Sequence, residues 1–262
     1  MFLGQDTRLA HTAQMRRGPY VLHVASLVAG MSLGLGCAAA TAVSPTVDSA
    51  GQSILFIGNS LTATNDLPAR VAEIATAAGR PLRTSAVTAP GASLLDHWED
   101  GRAVRAIRDG RWSVVVLQQG PSTLPESRAE LIASTRQFAA EIRRAGARPA
   151  LLMVWPLPGQ QATAVSASYR AAAEANDALL LPAGDAWTIV GARDSSMILV
   201  GPDGFHPSVL GTYAAALTVA CALLPPDRPS LTRAVSASGL RLDVARRDLL
   251  VDAACTAGTA RH

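Results

Sequence analysis

Two short stretches of this chain hold the residue types best suited to chemistry. One is Asp203-Gly204-Phe205-His206, a carboxylate three residues before an imidazole. The other is Ile54-Leu55-Phe56-Ile57-Gly58-Asn59-Ser60, an apolar run that ends in a Gly-Asn-Ser turn. A serine hydroxyl becomes a nucleophile when an imidazole takes its proton, and a carboxylate then orients that imidazole and balances its charge. All three groups occur here in the order Ser, Asp, His. They predict acyl transfer in two steps, with Ser60 as nucleophile, His206 as base and then acid, and Asp203 as the group that fixes the imidazole tautomer.

Elimination favours His206 among the five histidines. His11 and His23 fall in the N-terminal stretch, and His262 is the last residue. His97, in Leu94-Leu95-Asp96-His97-Trp98, reads as a packed or surface residue on a helix. His206 precedes Pro207 and a helix start at Ser208, so a rigid loop aims it. Taken alone, Gly58-Asn59-Ser60 would read as a helix cap; the Asp-x-x-His element makes Ser60 a nucleophile. Gly58 is expected to permit a tight turn with unusual dihedrals. The Gly-x-Ser-x-Gly elbow is absent, since Gly91-Ala92-Ser93 lacks the second glycine.

Acyl transfer also needs donors aimed at the developing oxyanion. The backbone N–H of Ser60 is one candidate and that of Gly91, in Ala89-Pro90-Gly91-Ala92-Ser93, is a second. A side-chain amide from Gln118 or Gln119, in Gln118-Gln119-Gly120, would complete the set. Gln119 is better placed to leave the strand, while Gln118 points along it. Either glutamine taken singly reads equally well as an ordinary loop residue.

The elements that must position these residues follow from the hydrophobic pattern. Strands are expected at 53–57, 82–87, 113–117, 150–154 and 179–181, and helices at 67–78, 103–108, 127–145, 164–176, 208–224 and 240–254. Apolar strands with little alternation, separated by helices, imply a mostly parallel sheet buried on both faces. Right-handed crossovers then give a three-layer α/β/α sandwich. Ser60, Gly91, Gln118, Gln119 and Trp155 each follow a strand, so all belong to the carboxyl edge where such folds place their sites.

Composition narrows the class. With 49% hydrophobic and 16% charged residues, the chain has material for one sizeable core. The net charge of +3 is spread over isolated pairs such as Arg143-Arg144 and Arg246-Arg247, which reads as solvated helix faces and not a nucleic-acid surface. No Cys-x-x-Cys or His-Glu-x-x-His spacing indicates a metal, and no Gly-rich phosphate loop follows the first strand. No cofactor is expected.

Residues 1–42 read as an export segment, and 43–52 as a linker to a domain spanning 53–262. Met15-Arg16-Arg17 leads into an apolar stretch ending in Ala38-Ala39-Ala40-Thr41-Ala42, the parts of a secretory signal. Leu35-Gly36-Cys37 offers lipid anchoring through Cys37 as a second reading, and the twin arginine a third. An uncleaved membrane tether is a fourth, because the run approaches the ~20 residues that span a bilayer. The destination is periplasmic or extracellular in each case. Cys221 and Cys255 then form either one disulfide or two buried thiols.

On these residues the chain resembles the SGNH, or GDSL-type, hydrolases. Gly58-Asn59-Ser60-Leu61 is similar to their first block, with Asn for Asp. Gly91 matches the glycine of the second, and Asp203 to His206 with Pro207 the fifth. The resemblance covers roughly residues 53–224 and implies a flavodoxin-like five-stranded sheet. It departs at the third block, where the family has Gly-x-Asn-Asp and this chain has Gln118-Gln119-Gly120-Pro121-Ser122. Some branches, including sialate and other carbohydrate acetylesterases, are similar in using a Gln-Gly element there. That likeness implies Gln119 as donor and leans the substrate toward short-acyl esters, O-acetylated sugars among them. An exported acyltransferase with the same triad and a non-catalytic binding protein are the rival readings. A monomer is expected. Trp98 and Trp155 would either stack on a sugar ring or serve in packing.

Overall fold

The computed structural model describes residues 51–224 and 227–259, all within the second of the two units into which the chain divides, Pro45–His262. The expected export segment 1–42, with Cys37, and positions 43–50 of the expected linker lie outside the described residues. The strands are β1 Ser53–Gly58, β2 Arg83–Thr88, β3 Val114–Leu117, β4 Arg148–Met153 and β5 Leu179–Pro182. They form one parallel sheet in the order β2-β1-β3-β4-β5. The helices are α1 Ser60–Ala63, α2 Leu67–Ala77, α3 Leu94–Asp100, α4 Arg102–Asp109, α5 Pro125–Arg144, α6 Ala162–Ala175, α7 Ala183–Arg193, α8 Val209–Leu223, α9 Arg228–Ala237 and α10 Val244–Thr259. A 3-10 turn, Thr64–Asp66, separates α1 from α2.

The strand order explains the layers. The step from β1 to β2 runs toward one edge of the sheet, and the steps to β3, β4 and β5 run toward the other. Right-handed connections therefore place α2 on one face and α3 to α6 on the opposite one. α7, α8 and α10 pack with one another, and α8 packs on α2. α8 is apolar almost all round and lies buried along most of its length. Its Cys221 is disulfide-bonded to Cys255 of α10, so the first of the two cysteine readings is the one observed. None of the described helices is long and apolar enough to cross a membrane.

Each expected strand is present within a residue or two, because central parallel strands are apolar on both faces and leave a continuous run in sequence. Every residue of β1 and β3 is buried. β2 departs from this: it is the edge strand, Arg-Thr-Ser-Ala-Val-Thr, and largely exposed. The last helix begins at Val244 and not at 240, because the Asp243 carboxylate accepts from Arg246 N (2.8 Å) and sets the cap there. α1, α7 and α9 were not anticipated. α1 has four residues, too few for a helical period, α7 starts directly after β5 and carries two glycines, and α9 opens on Arg228-Pro229.

Register then aligns the strand ends. Gly58 pairs with Thr88 and Ile57 with Leu117, so the segments that begin at Asn59, Ala89 and Gln118 leave the sheet side by side. The order reverses between β1 and β3, and the crevice beyond their carboxyl ends is the switch point of this topology.

Candidate active site

At the end of β1 the chain enters α1 through Asn59, whose side chain accepts from Leu61 N (3.0 Å) and caps the helix. Gly58 is not among the glycines with positive φ, so the expectation of unusual dihedrals is corrected. Its requirement is space: a Cβ there would lie 2.4 Å from Gln118 Oε1 and 2.6 Å from Thr62 Oγ1. Gln118 Oε1 accepts from Asn59 N (2.9 Å) and Thr62 Oγ1 (2.7 Å), and Gln118 Nε2 donates to Asn59 Oδ1 (3.0 Å) and Gln119 O (2.7 Å). Asn59 Nδ2 in turn donates to Ala92 O (3.1 Å). An aspartate at position 59 could not make that bond, since a carboxylate only accepts. His97 is buried and its Nε2 lies 2.8 Å from Gly58 O; the carbonyl can only accept, so Nε2 carries the proton.

This network leaves Ser60 as the free group of the turn. Ser60 is half-buried, and its hydroxyl has no hydrogen-bond partner among the described residues. As the first residue of α1, its N–H has no intrahelical acceptor.

The imidazole loop is closed on itself. His206 Nδ1 lies 2.6 Å from Asp203 Oδ2, while Asp203 Oδ1 accepts the N–H groups of Phe205 (2.9 Å) and His206 (3.0 Å). The imidazole hydrogen bond, and then the two backbone N–H groups, hold the Asp203 carboxyl down at about 2. An ionised Asp203 makes Nδ1 the donor, which leaves Nε2 of a neutral ring as acceptor for a hydroxyl. The loop is drawn tight by Gly201 N to His206 O (2.7 Å), by Gly204 N to Gly201 O (3.0 Å) and by Ser208 N to Leu199 O (2.8 Å). Gly204 turns it with φ 70°. Ser208 then caps α8 by accepting from Gly211 N (3.0 Å).

Trp155 Nε1 donates to Phe205 O (3.3 Å), and its ring stacks on Trp187 at 3.9 Å between centroids. Trp155 is buried, so packing is the role observed for it. Trp98 meets Phe138 edge-on at 5.2 Å. The aromatic ring that stands exposed beside the imidazole is Phe205, edge-on to His206 at 4.7 Å.

Among the expected oxyanion donors, Gly91 is exposed, has φ 71°, and its N–H has no acceptor among the described residues. The Gln119 amide is buried, accepting from Leu94 N (3.0 Å) and donating to Ser122 Oγ (2.9 Å), with one hydrogen left over. Tyr169 OH pins the same loop through Gln119 O (2.6 Å) and Gly120 O (3.1 Å), and burial pushes that phenol up. Gln118 differs, because both of its amide hydrogens already have acceptors.

Ser60, Gly91 and both glutamines thus leave the carboxyl edge of the sheet together, and Asp203 joins His206. No hydrogen bond links Ser60 to His206. What ties their two segments is Asn65, whose Nδ2 donates to Pro207 O (3.0 Å) and Thr212 Oγ1 (2.9 Å). The Asn59–Ala92 bond, Thr62, Asn65 and the role of His97 escaped sequence reasoning, because each partner lies at least 33 residues away. No group of three or more His, Cys, Asp or Glu among the described residues could hold a metal ion. A cleft of about 530 Å³ lined by Arg193, Arg228, Asp248 and Asp252 involves none of the site residues.

No family model matches the sequence, and a search of curated proteins gives no match. Solved structures do match. A protein assigned as an SGNH hydrolase from Slackia heliotrinireducens is 26% identical, with TM-score 0.55, over 65% of this chain and 97% of that one. TesA is 20% identical, with TM-score 0.51, over 63% and 94% of the two chains. A lipase/acylhydrolase from Enterococcus faecalis is 15% identical, with TM-score 0.52, over 64% and 93%. The fold is that of the SGNH/GDSL-type hydrolases, the superfamily that the sequence motifs resemble. Its neighbours in structure are hydrolases.

Proposed function

We propose that the chain is a serine ester hydrolase working through Ser60, His206 and Asp203 by way of an acyl-enzyme. The observation that carries this reading is the Asp203–His206 pair, 2.6 Å apart, on a loop hydrogen-bonded to the segment that follows Ser60. His206 Nε2 takes the Ser60 proton as Oγ attacks the ester carbonyl, and then returns it to the leaving alcohol. Water repeats the sequence on the acyl-enzyme. The oxyanion is met by the N–H groups of Ser60 and Gly91 and by the remaining amide hydrogen of Gln119, with Gln118 holding the turn from behind.

The substrates we propose are short-acyl esters, O-acetylated carbohydrates among them, with Phe205 as the aromatic surface beside the reacting groups. We further propose that the domain is exported; the Cys221–Cys255 disulfide supports this, since such bonds persist in oxidising compartments.

Hydrolysis of p-nitrophenyl acetate, butyrate and octanoate by the purified protein and by Ser60→Ala tests the reading. Turnover should fall with chain length and vanish in the variant. Parent-like turnover in Ser60→Ala would overturn it. An inactive parent that nonetheless transfers acyl groups to a sugar acceptor would make the chain an acyltransferase.

A further inference from the structure

The proposed mechanism needs the Ser60 hydroxyl and the His206 imidazole within reach of each other, yet neither residue's own segment sets that distance. β1 delivers Ser60, and a separate, exposed loop carries His206. We propose that Asn65 is the positioning residue that sets the reach of His206 to Ser60; this rests on the reading of those two residues as nucleophile and base.

Asn65 stands five residues after Ser60 and uses both hydrogens of its amide on the far segment. One goes to the carbonyl of Pro207, the residue directly after His206, and the other to Thr212 in the first turn of α8. Both acceptors belong to buried residues. A primary amide offers two donors in a fixed fork, which an aspartate or a serine does not.

The backbone points the same way. Asn65 (φ 56°, ψ 16°) and Asp66 (φ 55°, ψ 61°) are successive left-handed residues, a conformation that costs any residue with a Cβ, though Asn and Asp less than most, and that is seldom adopted twice in a row. Glycine would suit position 65 better by backbone alone, but it has no amide to give. Strain of this kind persists where the surroundings over-determine it. Here they do: Arg70 Nε donates to Asn65 O (3.3 Å), Asp66 Oδ1 caps α2 at Ala69 N (3.2 Å), and Leu67 and Pro68 are buried just beyond. The turn is therefore fixed to the same core as Ser60, and its one free arm holds the base of the His206 loop.

The test uses the full protein. Asn65→Gly keeps the left-handed backbone and removes the amide, and Asn65→Asp keeps the shape and removes both donors. Each should lower kcat by about 10- to 100-fold while KM on p-nitrophenyl acetate stays within about threefold, the size expected for misplacing a catalytic group. Thr212→Val, which removes one acceptor at nearly constant volume, should lower kcat by about two- to fivefold and remains readable should the position 65 variants fail to fold. In a His206→Ala background, Asn65→Gly should change the residual rate by less than about twofold, because a residue acting through His206 has nothing left to act on. Parent-like kcat in both position 65 variants would overturn the proposal, and so would an undiminished effect of Asn65→Gly without His206. Retained activity in Ser60→Ala would overturn the underlying reading, and this proposal with it.

Discussion

At Ser60 the chain is held by groups that arrive from far along the sequence. Gln118, His97 and Ala92 clamp the turn at separations of 59, 39 and 33 residues, and Asn59, Gln118 and His97 are buried. At His206 the opposite holds. Apart from the Trp155 Nε1 bond to Phe205 O, the bonds that shape the loop run between residues 199 and 208, and Asp203 reaches its imidazole across three residues while half-exposed. One half of the proposed site is rigid because the core encloses it. The other is a local device that needs an outside reference to face its partner, and Asn65 supplies one.

The difference yields predictions that fall in order of size. Ser60→Ala and His206→Ala should each lower turnover by on the order of 10⁴–10⁶ with little change in Tm, since neither hydroxyl nor imidazole carries the core. A loss of Tm in either would show that the two regions depend on each other for folding. Asp203→Asn should cost about 10²–10⁴ in kcat, because an amide accepts less strongly and permits the wrong imidazole tautomer.

Asp203 also gives a pH signature. Its folded carboxyl lies near 2, below the ordinary carboxylate value near 4. The stability it contributes is therefore complete above about pH 4 and lost as pH falls through about 2. The Tm difference between parent and Asp203→Asn, measured from pH 5 down to pH 2, should shrink over that window.

Gln118→Ala attacks the other region. It strands Asn59 N and the Thr62 hydroxyl in a buried site and leaves Asn59 Oδ1 only its bond from Leu61 N, for about 2–4 kcal/mol of stability, with activity falling as the turn loosens. Denaturant unfolding beside Gln119→Ala would sharpen the contrast: the first should lose chiefly stability, the second should lose kcat out of proportion to stability. The pair Cys221→Ala/Cys255→Ala touches neither region. Opening a loop of 34 residues should cost about 3–4 kcal/mol, with parent-like activity at 25 °C.

Much of this was legible beforehand, and for a physical reason. β1, β3 and β4 are continuous apolar runs because both faces of a central parallel strand are covered. The Asp203–His206 pair is local, so its spacing alone announces it. β2 was harder, since an edge strand need not be apolar. Gln118 could not be separated from Gln119, because adjacent amides differ only in which way the strand end turns them. His97 gave no sign of the Gly58 carbonyl it meets.

The sequence by itself therefore determined the layer order, the strand ends and the residue types of the proposed triad, all of which depend on periodicity and short-range spacing. Only the tertiary structure decided which amide holds the turn and which retains a free hydrogen, that Gly58 is required for space and not for dihedral freedom, and that Asn65 spans the two segments. Those features arise from side chains brought together across 33 to 147 residues, and contacts at that range leave no local pattern to read.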